Sequence, residues 1–373
     1  MKYLFIVQGE GRGHLTQAMT LEKMLLKHGH EVVGILVGKS KSRHLPDFFL
    51  KGVHAPVHQF ISINFLPSAA NRKPNMVKSI AYNMAVAPKY ISSMNYIRKT
   101  IASCGADVVV NFYELLTGLT YMLFRVPVPQ ICIGHQYLFL HKDFIMPEKA
   151  FGGYGWLRFF TKITAIGANK YLALSFRRMR DLPKQKLRVV PPLLRKEVLD
   201  TVPEKGGYIH GYMLNSGFAD DVMRWHSAHP EVELKFFWDK DTDEPVTRID
   251  STLSFHTLDD TEFLRQMAGC KAYASTAGFE SICEAMYLEK PVLMVPSHIE
   301  QECNAFDAMK SGAGIAADRF DLGLLLDFTE GFIPDREFRQ WAKAAEDIII
   351  NELEIYYKDS DILVNKIKRK FEK

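Results

Sequence analysis

Signatures of metal binding, disulfide bonding and membrane spanning are all missing from this 373-residue chain. Its five cysteines (Cys104, Cys132, Cys270, Cys283 and Cys303) are scattered with no C-x-x-C pair, so neither a zinc site nor a disulfide framework is indicated. No stretch reaches the ~18 uninterrupted apolar residues that a membrane-spanning helix needs. Neither sign of charge dominates: 47 Lys and Arg stand against 43 Asp and Glu, a net +4. That excess is too small to argue for a nucleic-acid partner. Met1–Val7 carries one lysine and a five-residue apolar run, then enters a glycine-rich turn. This is not how a signal peptide reads, and a cytoplasmic location is expected. Long repeats and low-complexity segments are absent as well. What remains is an ordinary globular composition, 47% apolar and 24% charged. At roughly 100–200 residues per domain, the length suggests two domains.

Lys2–Gln8 is a β-rich apolar run, followed by turn residues and then helical spacing over Leu15–His28, with Leu15, Met19, Glu22 and Leu25–Leu26 on one stripe. Gly29 stops that helix and Glu31–Val37 reads as the next strand. The result is a βαβ unit within the first 40 residues, joined by a helical crossover. Further strands are expected at Ala106–Asn111, Gln130–Gly134, Lys170–Leu174 and Arg188–Val190, alternating with helices at Met76–Ile101 and Leu115–Phe124. This half reads as an open, mostly parallel, doubly wound sheet. Pro191, Pro192, Pro203, Gly206 and Gly207 mark the best linker. A second α/β series follows: strands at Tyr208–Leu214, Glu233–Trp238, Thr252–Phe255, Lys271–Ser275 and Pro291–Pro296, with helices at Phe218–Ala228, Glu262–Ala268 and Glu280–Tyr287. The expected division is 1–190, 191–335, and a charged helical segment 336–373 that packs back on the first domain.

Between the first strand and helix lies Gly9-Glu10-Gly11-Arg12-Gly13-His14. Glycines there let the backbone turn tightly and approach a ligand. The spacing is not G-x-G-x-x-G, so no dinucleotide fingerprint is read. His14 falls at the C-terminal edge of the sheet, where doubly wound folds bind ligands. An ordinary pKa near 6.5 suits it to general-base work. A capping or exposed histidine in a tight turn is the alternative, and the glycines alone would equally serve a phosphate.

The second half carries Ser275-Thr276-Ala277-Gly278-Phe279-Glu280-Ser281-Ile282-Cys283-Glu284-Ala285, then Lys290–Pro296, then Glu300-Gln301-Glu302-Cys303-Asn304-Ala305. Physically this is a strand, a small-residue turn, a helix, a buried strand and another helix. Gly278 admits a ligand to the helix start, and Ser281 with the free N–H groups of the first turn suits a phosphate. Glu284, three residues on and on the same face, suits a pair of ribose hydroxyls. Glu300 beside Gln301 supplies acceptors and donors for sugar hydroxyls.

The pattern Gly–x–x–Ser–x–x–Glu–Ala, two prolines, then Glu-Gln-x-x-Asn-Ala resembles the nucleotide-sugar signature of the GT-B glycosyltransferase superfamily. The branch of the peptidoglycan N-acetylglucosaminyltransferase and the UDP-glycosyltransferases is the most similar, and the glycine loop ending in His14 agrees with it. The resemblance implies two Rossmann-like doubly wound domains facing a central cleft. It also implies sugar transfer from a nucleotide-sugar substrate, UDP-linked in that branch's manner, with no cofactor and no metal. It places the donor against Gly13, Thr276, Ala277, Gly278, Phe279, Glu280, Ser281, Glu284, Glu300, Gln301 and Asn304. His256 and Leu258 would lie in a loop that meets the donor base. Gly11, Arg12, His14 and His135 would lie on the acceptor side. Thr276 departs from the plant-type pattern, which has histidine there, and brings no charge.

Glu114 and His135 each follow a strand of the first sheet, so Glu114 is a second candidate base and His135 an acceptor contact, with structural roles open for both. Phe60–Ile101 and Tyr137–Lys170 interleave aromatic and basic residues. Such helices suit peripheral contact with an anionic membrane and a lipid-linked acceptor, or else ordinary core packing with solvated lysines. Asp239-Lys240-Asp241-Thr242-Asp243 holds two D-x-D spacings but reads as a solvated loop. Expected chemistry is direct displacement with inversion. Its rivals are a sugar-nucleotide 2-epimerase of the same fold and an inactive nucleotide-sugar or partner-binding protein.

Overall fold

The computed structural model describes residues 1–41, 44–63, 76–147, 153–214, 216–240 and 244–354. Two seven-stranded sheets organise them. The first contains β1 (Lys2–Gln8), β2 (Glu31–Lys39), β3 (Val57–Ile61), β4 (Val108–Phe112), β5 (Gln130–Gly134), β6 (Ala168–Leu174) and β7 (Leu187–Val190). Its spatial order is β3-β2-β1-β4-β5-β6-β7 and every pairing is parallel. The second contains β8 (Ile209–Met213), β9 (Leu234–Trp238), β10 (Val246–Arg248), β11 (Leu253–Thr257), β12 (Ala272–Ser275), β13 (Val292–Met294) and β14 (Gly314–Ala316). Its order is β10-β11-β9-β8-β12-β13-β14, parallel except where the short edge strand β10 runs against β11.

The helices are α1 (Arg12–Lys27), α2 (Asp47–Gly52), α3 (Met76–Ser103), α4 (Leu115–Leu123), α5 (Gly153–Thr164), α6 (Lys196–Asp200), α7 (Ala219–Ala228), α8 (Asp260–Gly269), α9 (Phe279–Tyr287), α10 (Ile299–Lys310), α11 (Leu322–Glu330) and α12 (Arg336–Lys343). Among the described residues no helix is long and apolar enough to cross a membrane.

The central strands are apolar on both faces because helices cover both. Val108–Phe112 is fully buried, as is Gln130–Gly134. Each sheet reverses its strand order at one place, between β1 and β4 in the first and between β8 and β12 in the second. Doubly wound sheets open their ligand crevices beyond the C-terminal strand ends at such a reversal. The glycine loop and Tyr113–Glu114 stand at the first reversal, and Thr276–Gly278 at the second. Tyr113 (φ 61°) and Ala277 (φ 59°) are both non-glycine residues in left-handed backbone. That conformation costs about 1 kcal/mol or more, so the surroundings hold both residues in it; Lys186 and Glu289 share it at the ends of a turn and of α9.

Helix α1 starts at Arg12 rather than Leu15. Gly11 and Gly13 read as turn residues, but Gly13 already lies in the first helical turn, so His14 is a helical residue. Inside the apolar stripe of α1 sits Glu22, fully buried. Its carboxylate accepts the backbone N–H of His54 (3.0 Å) and of Ala55 (2.7 Å), which ties α1 to the segment after α2.

One continuous apolar core runs from Phe5 and Phe112 in the first sheet through Phe139 and Phe176 to Phe279 and Tyr273 in the second. Helix α12 and the helical residues 345–354 extend it over the first sheet. Trp341 Nε1 donates to the Ser175 carbonyl (3.1 Å). Lys27 and His28 pair with Glu346, His30 with Glu354, and Lys170 and Arg188 with Glu352. Residues 355–373 lie outside the described residues.

Candidate functional site

Three helix N-termini converge between the sheets: α1 behind Gly11, α9 behind Gly278 and α10 behind His298. None receives a hydrogen bond from an N-cap side chain. Each therefore presents unsatisfied N–H groups and the positive end of its dipole. The first turns of α1 and α9 lie so close that a Cβ on Gly13 would be 3.4 Å from Glu280 Cγ. Of the other loop glycines, Gly9 is required by packing, because a Cβ would sit 2.5 Å from Val37 Cγ1. Gly11 faces open space.

His14 is buried at the centre. Nδ1 lies 3.2 Å from Gln17 Oε1 and Nε2 lies 3.3 Å from Gln136 Nε2. Its ring stacks on Tyr113, with centroids 5.7 Å apart. Burial lowers its pKa below 6.5, opposed by the Glu300 charge and the Gln17 hydrogen bond. Gln17 Nε2 in turn donates to Glu280 Oε1 (2.6 Å), and Gln136 Nε2 to Glu300 Oε1 (2.8 Å). Neither glutamine stands out in the sequence. The available signal was position: Gln17 is three residues past His14 on the same helical face, and Gln136 follows the C-terminal end of β5.

Glu280 is partly buried, and desolvation raises its pKa to about 8, against the Gln17 hydrogen bond. His135 opens a two-turn 3₁₀ helix (His135–Leu140) after β5. Its Nδ1–H donates to the Leu174 carbonyl (2.8 Å), and its ring stacks on Phe279 at 4.0 Å. Burial lowers its pKa too. His135 Nε2, Gln136 Oε1 and Asn304 Oδ1 are buried without a partner among the described residues. A hydroxylated ligand would satisfy such orphaned groups.

The other motif residues divide. Ser281 Oγ donates to the Gly278 carbonyl (3.2 Å) and lies at the α9 start. Thr276 Oγ1 accepts the Leu214 N–H (3.2 Å), and Asn304 Nδ2 donates to the Ala277 carbonyl (3.2 Å). Gln301 spends its carbonyl oxygen on Ser297 N (2.8 Å) and Oγ (2.7 Å), leaving its amide nitrogen. Glu284 is held by Arg195, Nε to Oε1 at 2.9 Å. That pairing had no sequence signal, because Arg195 lies in the linker. Arg12 lies 3.7 Å from Asp260 and over the Phe48 ring. His256 is corrected from loop to strand. It pairs within β11, stacks on Phe237 at 5.0 Å and is 2.9 Å from Ser254 Oγ. Alternation in Leu253–Thr257 drives that pairing, and only Leu258 falls in the following loop. Of the acidic loop, Asp241–Asp243 lie outside the described residues, as do Phe65, Arg72, Lys73, Lys149 and Phe151 of the two aromatic–basic segments.

Glu114 does not join His14 by a hydrogen bond. It caps α4: Oε1 accepts Leu116 N (3.0 Å) and Ser62 Oγ (2.6 Å), while Oε2 is buried without a partner and faces Gly38. Burial raises its pKa from 4.5 to about 7, against those two hydrogen bonds. The folded chain therefore holds this proton where the unfolded chain has lost it. Stability contributed by this group falls as pH rises from about 4.5 to about 7. Glu114→Gln should become more stable relative to the parent, on the order of 1–3 kcal/mol, between pH 5 and pH 8. Urea unfolding at both values measures it, and an unchanged pH dependence would remove the argument. Some slope should persist in the variant, because Glu280 contributes with the same sign.

An open depression of about 840 Å³ lined by Asp107, Phe124, Pro127 and Asn169 lies at the opposite, N-terminal edge of the first sheet, away from these groups.

Three solved structures illustrate the likeness of fold. The glycosyltransferase of kitacinnamycin aligns with TM-score 0.62 and 14% identity over 94% of this chain and 98% of its own. Medicago truncatula UGT71G1, solved with UDP-glucose, gives 0.59 and 13% over 94% and 98%. Phytolacca americana UGT2, solved with UDP-2-fluoro-glucose and pterostilbene, gives 0.58 and 13% over 93% of each. No curated protein sequence matches the chain. The family model for glycosyl transferase family 1 matches residues 1–332, a span that takes in both sheets and all three converging helix starts. The chain belongs to glycosyl transferase family 1 and is a glycosyltransferase of the two-sheet GT-B fold.

Proposed function

We propose that the protein moves a sugar from a nucleoside-diphosphate sugar, UDP-linked as in the ligands of the UGT structures above, to an acceptor hydroxyl with inversion. The convergence of three uncapped helix N-termini on one buried histidine carries this reading. The α9 and α10 starts meet the diphosphate, and backbone N–H groups stabilise charge growing on the departing nucleotide. His14 Nε2 takes the acceptor proton as its oxygen attacks the anomeric carbon. Glu284 holds the ribose, and Glu300 with Gln301 the sugar. Phosphate held in this way needs no metal ion, so EDTA should leave turnover unchanged. The test is a thermal-shift series with UDP, GDP, dTDP and ADP. One nucleotide should raise the melting temperature, by mass action on the folded state. If none does, the donor reading falls.

The acceptor side carries a second element of the reading, peripheral contact with an anionic membrane. Helix α5 packs on α10, and a Cβ on its Gly153 would reach 2.3 Å from Ile299 Cδ1. It exposes Trp156 (71%) and Phe159 (52%), with Arg158 and Lys162 exposed beside them. Aromatic and basic residues together on an exposed helix suit an anionic surface at the mouth of the cleft, where a lipid-linked acceptor would enter. Trp156→Ser/Phe159→Ser should lose several-fold in co-sedimentation with anionic vesicles. Equal sedimentation by variant and parent would discard the contact.

A further inference from the structure

The two glutamine–glutamate pairs around His14 share one construction. Gln17 and Gln136 belong to the first half of the chain, on α1 and behind β5. Glu280 and Glu300 belong to the second, in the first turns of α9 and α10. Each glutamine gives its amide NH₂ to a carboxyl from across the cleft, at 2.6 Å and 2.8 Å. A carboxyl offers an acceptor oxygen whether or not it is ionised, and an amide NH₂ never accepts. In the structure both amides lie with the NH₂ on the carboxyl, which settles which way round each one points. With its NH₂ committed to Glu280, Gln17 turns its carbonyl oxygen to His14 Nδ1, 3.2 Å away. That oxygen only accepts, so Nδ1 must carry the ring proton. On the other side Gln136 presents NH₂ to Nε2 at 3.3 Å, which requires a bare lone pair there. Both sides select the same tautomer, the one in which Nε2 is basic. The tautomer a histidine adopts is set by what its other nitrogen contacts.

We propose that Glu280 and Glu300, acting through Gln17 and Gln136, hold His14 as the Nδ1–H tautomer when the two halves are closed, so that the donor half arms the base of the acceptor half. The four are positioning residues, and the inference rests on the reading of His14 as the base. An arriving hydroxyl displaces the long Gln136 contact and meets the orphaned Gln136 Oε1. Opening of the cleft removes both carboxyls, frees both amides to rotate, and leaves the base in mixed tautomers.

The test is long-range proton–nitrogen NMR on the full chain labelled with ¹⁵N-histidine, with the His14 signals identified by their absence in His14→Gln. The unmodified chain should show His14 with its proton on Nδ1. Glu280→Ala and Gln17→Ala should each convert it to a mixture that includes the Nε2–H form. Turnover should drop towards the about 10²–10⁴-fold loss that follows a wrong tautomer in a catalytic histidine. Gln17→Glu on the Glu280→Ala background should restore the Nδ1–H form, since an ionised carboxylate at position 17 can only accept. A His14 proton on Nε2 in the unmodified chain overturns the proposal, and so does an unchanged tautomer in both alanine variants. If Glu280→Ala does not fold, the unmodified chain and Gln17→Ala still decide. None of these spectra needs a nucleotide, so failure of the donor reading in the thermal-shift series is a separate result.

Discussion

His14→Ala is expected to lower turnover by about 10²–10⁴-fold, the usual contribution of a positioned general base, while leaving the nucleotide-induced rise in melting temperature intact. The separation follows from placement. His14 lies on α1 in the first half, and its ring contacts Gln17, Gln136 and Tyr113. On the proposed reading the diphosphate meets the starts of α9 and α10 instead. Burial holds its pKa below 6.5, so the neutral, basic form is populated throughout the neutral range. The parent enzyme should therefore show an acid limb below pH 6.5 and no further gain from pH 7 upward on this group's account. His14→Ala should lose that limb along with the rate. A variant that lost nucleotide binding in parallel with turnover would make His14 a donor contact, and a residual rate within tenfold of the parent would remove it as the base.

Much of this site could be read from the sequence, and the parts that could not share a physical reason. The first βαβ unit announced itself through an apolar strand, a glycine turn and a helical stripe ending at Gly29. The Gly278–Glu284 and Glu300–Asn304 segments did so through small residues and carboxylates at helix starts. Elements stabilised by edge pairing were missed: β3, with two exposed residues in five, and the three-residue strands β10 and β14. Their strand character comes from a neighbour and not from their own alternation. The start of α1 was misplaced because glycine is a poor guide to where a helix begins when another helix start packs against it, as Glu280 does at Gly13. Gln17, Gln136 and Arg195 were invisible for a related reason. Each is held by a carboxylate 89 or more residues away in sequence, which no local spacing shows. Single positions show a residue's chemistry, but only the fold shows which carboxylate turns a glutamine around.

Glu284 poses the opposite problem, because its motif role and its observed partner compete. Arg195 and Glu284 form an ion pair with side chains only 12% and 7% exposed. The Glu284 carboxylate raises the Arg195 pKa against the effect of burial. Removing one member of such a pair leaves an uncompensated buried charge, which costs about 3–5 kcal/mol. Glu284→Ala and Arg195→Ala should therefore both melt lower, by on the order of 5–10 °C. Their responses to nucleotide should differ. If Glu284 holds the ribose, Glu284→Ala loses the nucleotide-induced rise, worth about 2.7 kcal/mol at a hundredfold excess over Kd. Arg195→Ala should keep that rise or enlarge it, because its carboxylate no longer has to leave a guanidinium to meet the ligand. A nucleotide response lost equally in both variants would make the pair a strut that shapes the linker against α9. A response retained in both would take Glu284 out of the donor site. Differential response therefore separates ligand binding from framework, where the loss of stability alone cannot, since both roles predict it.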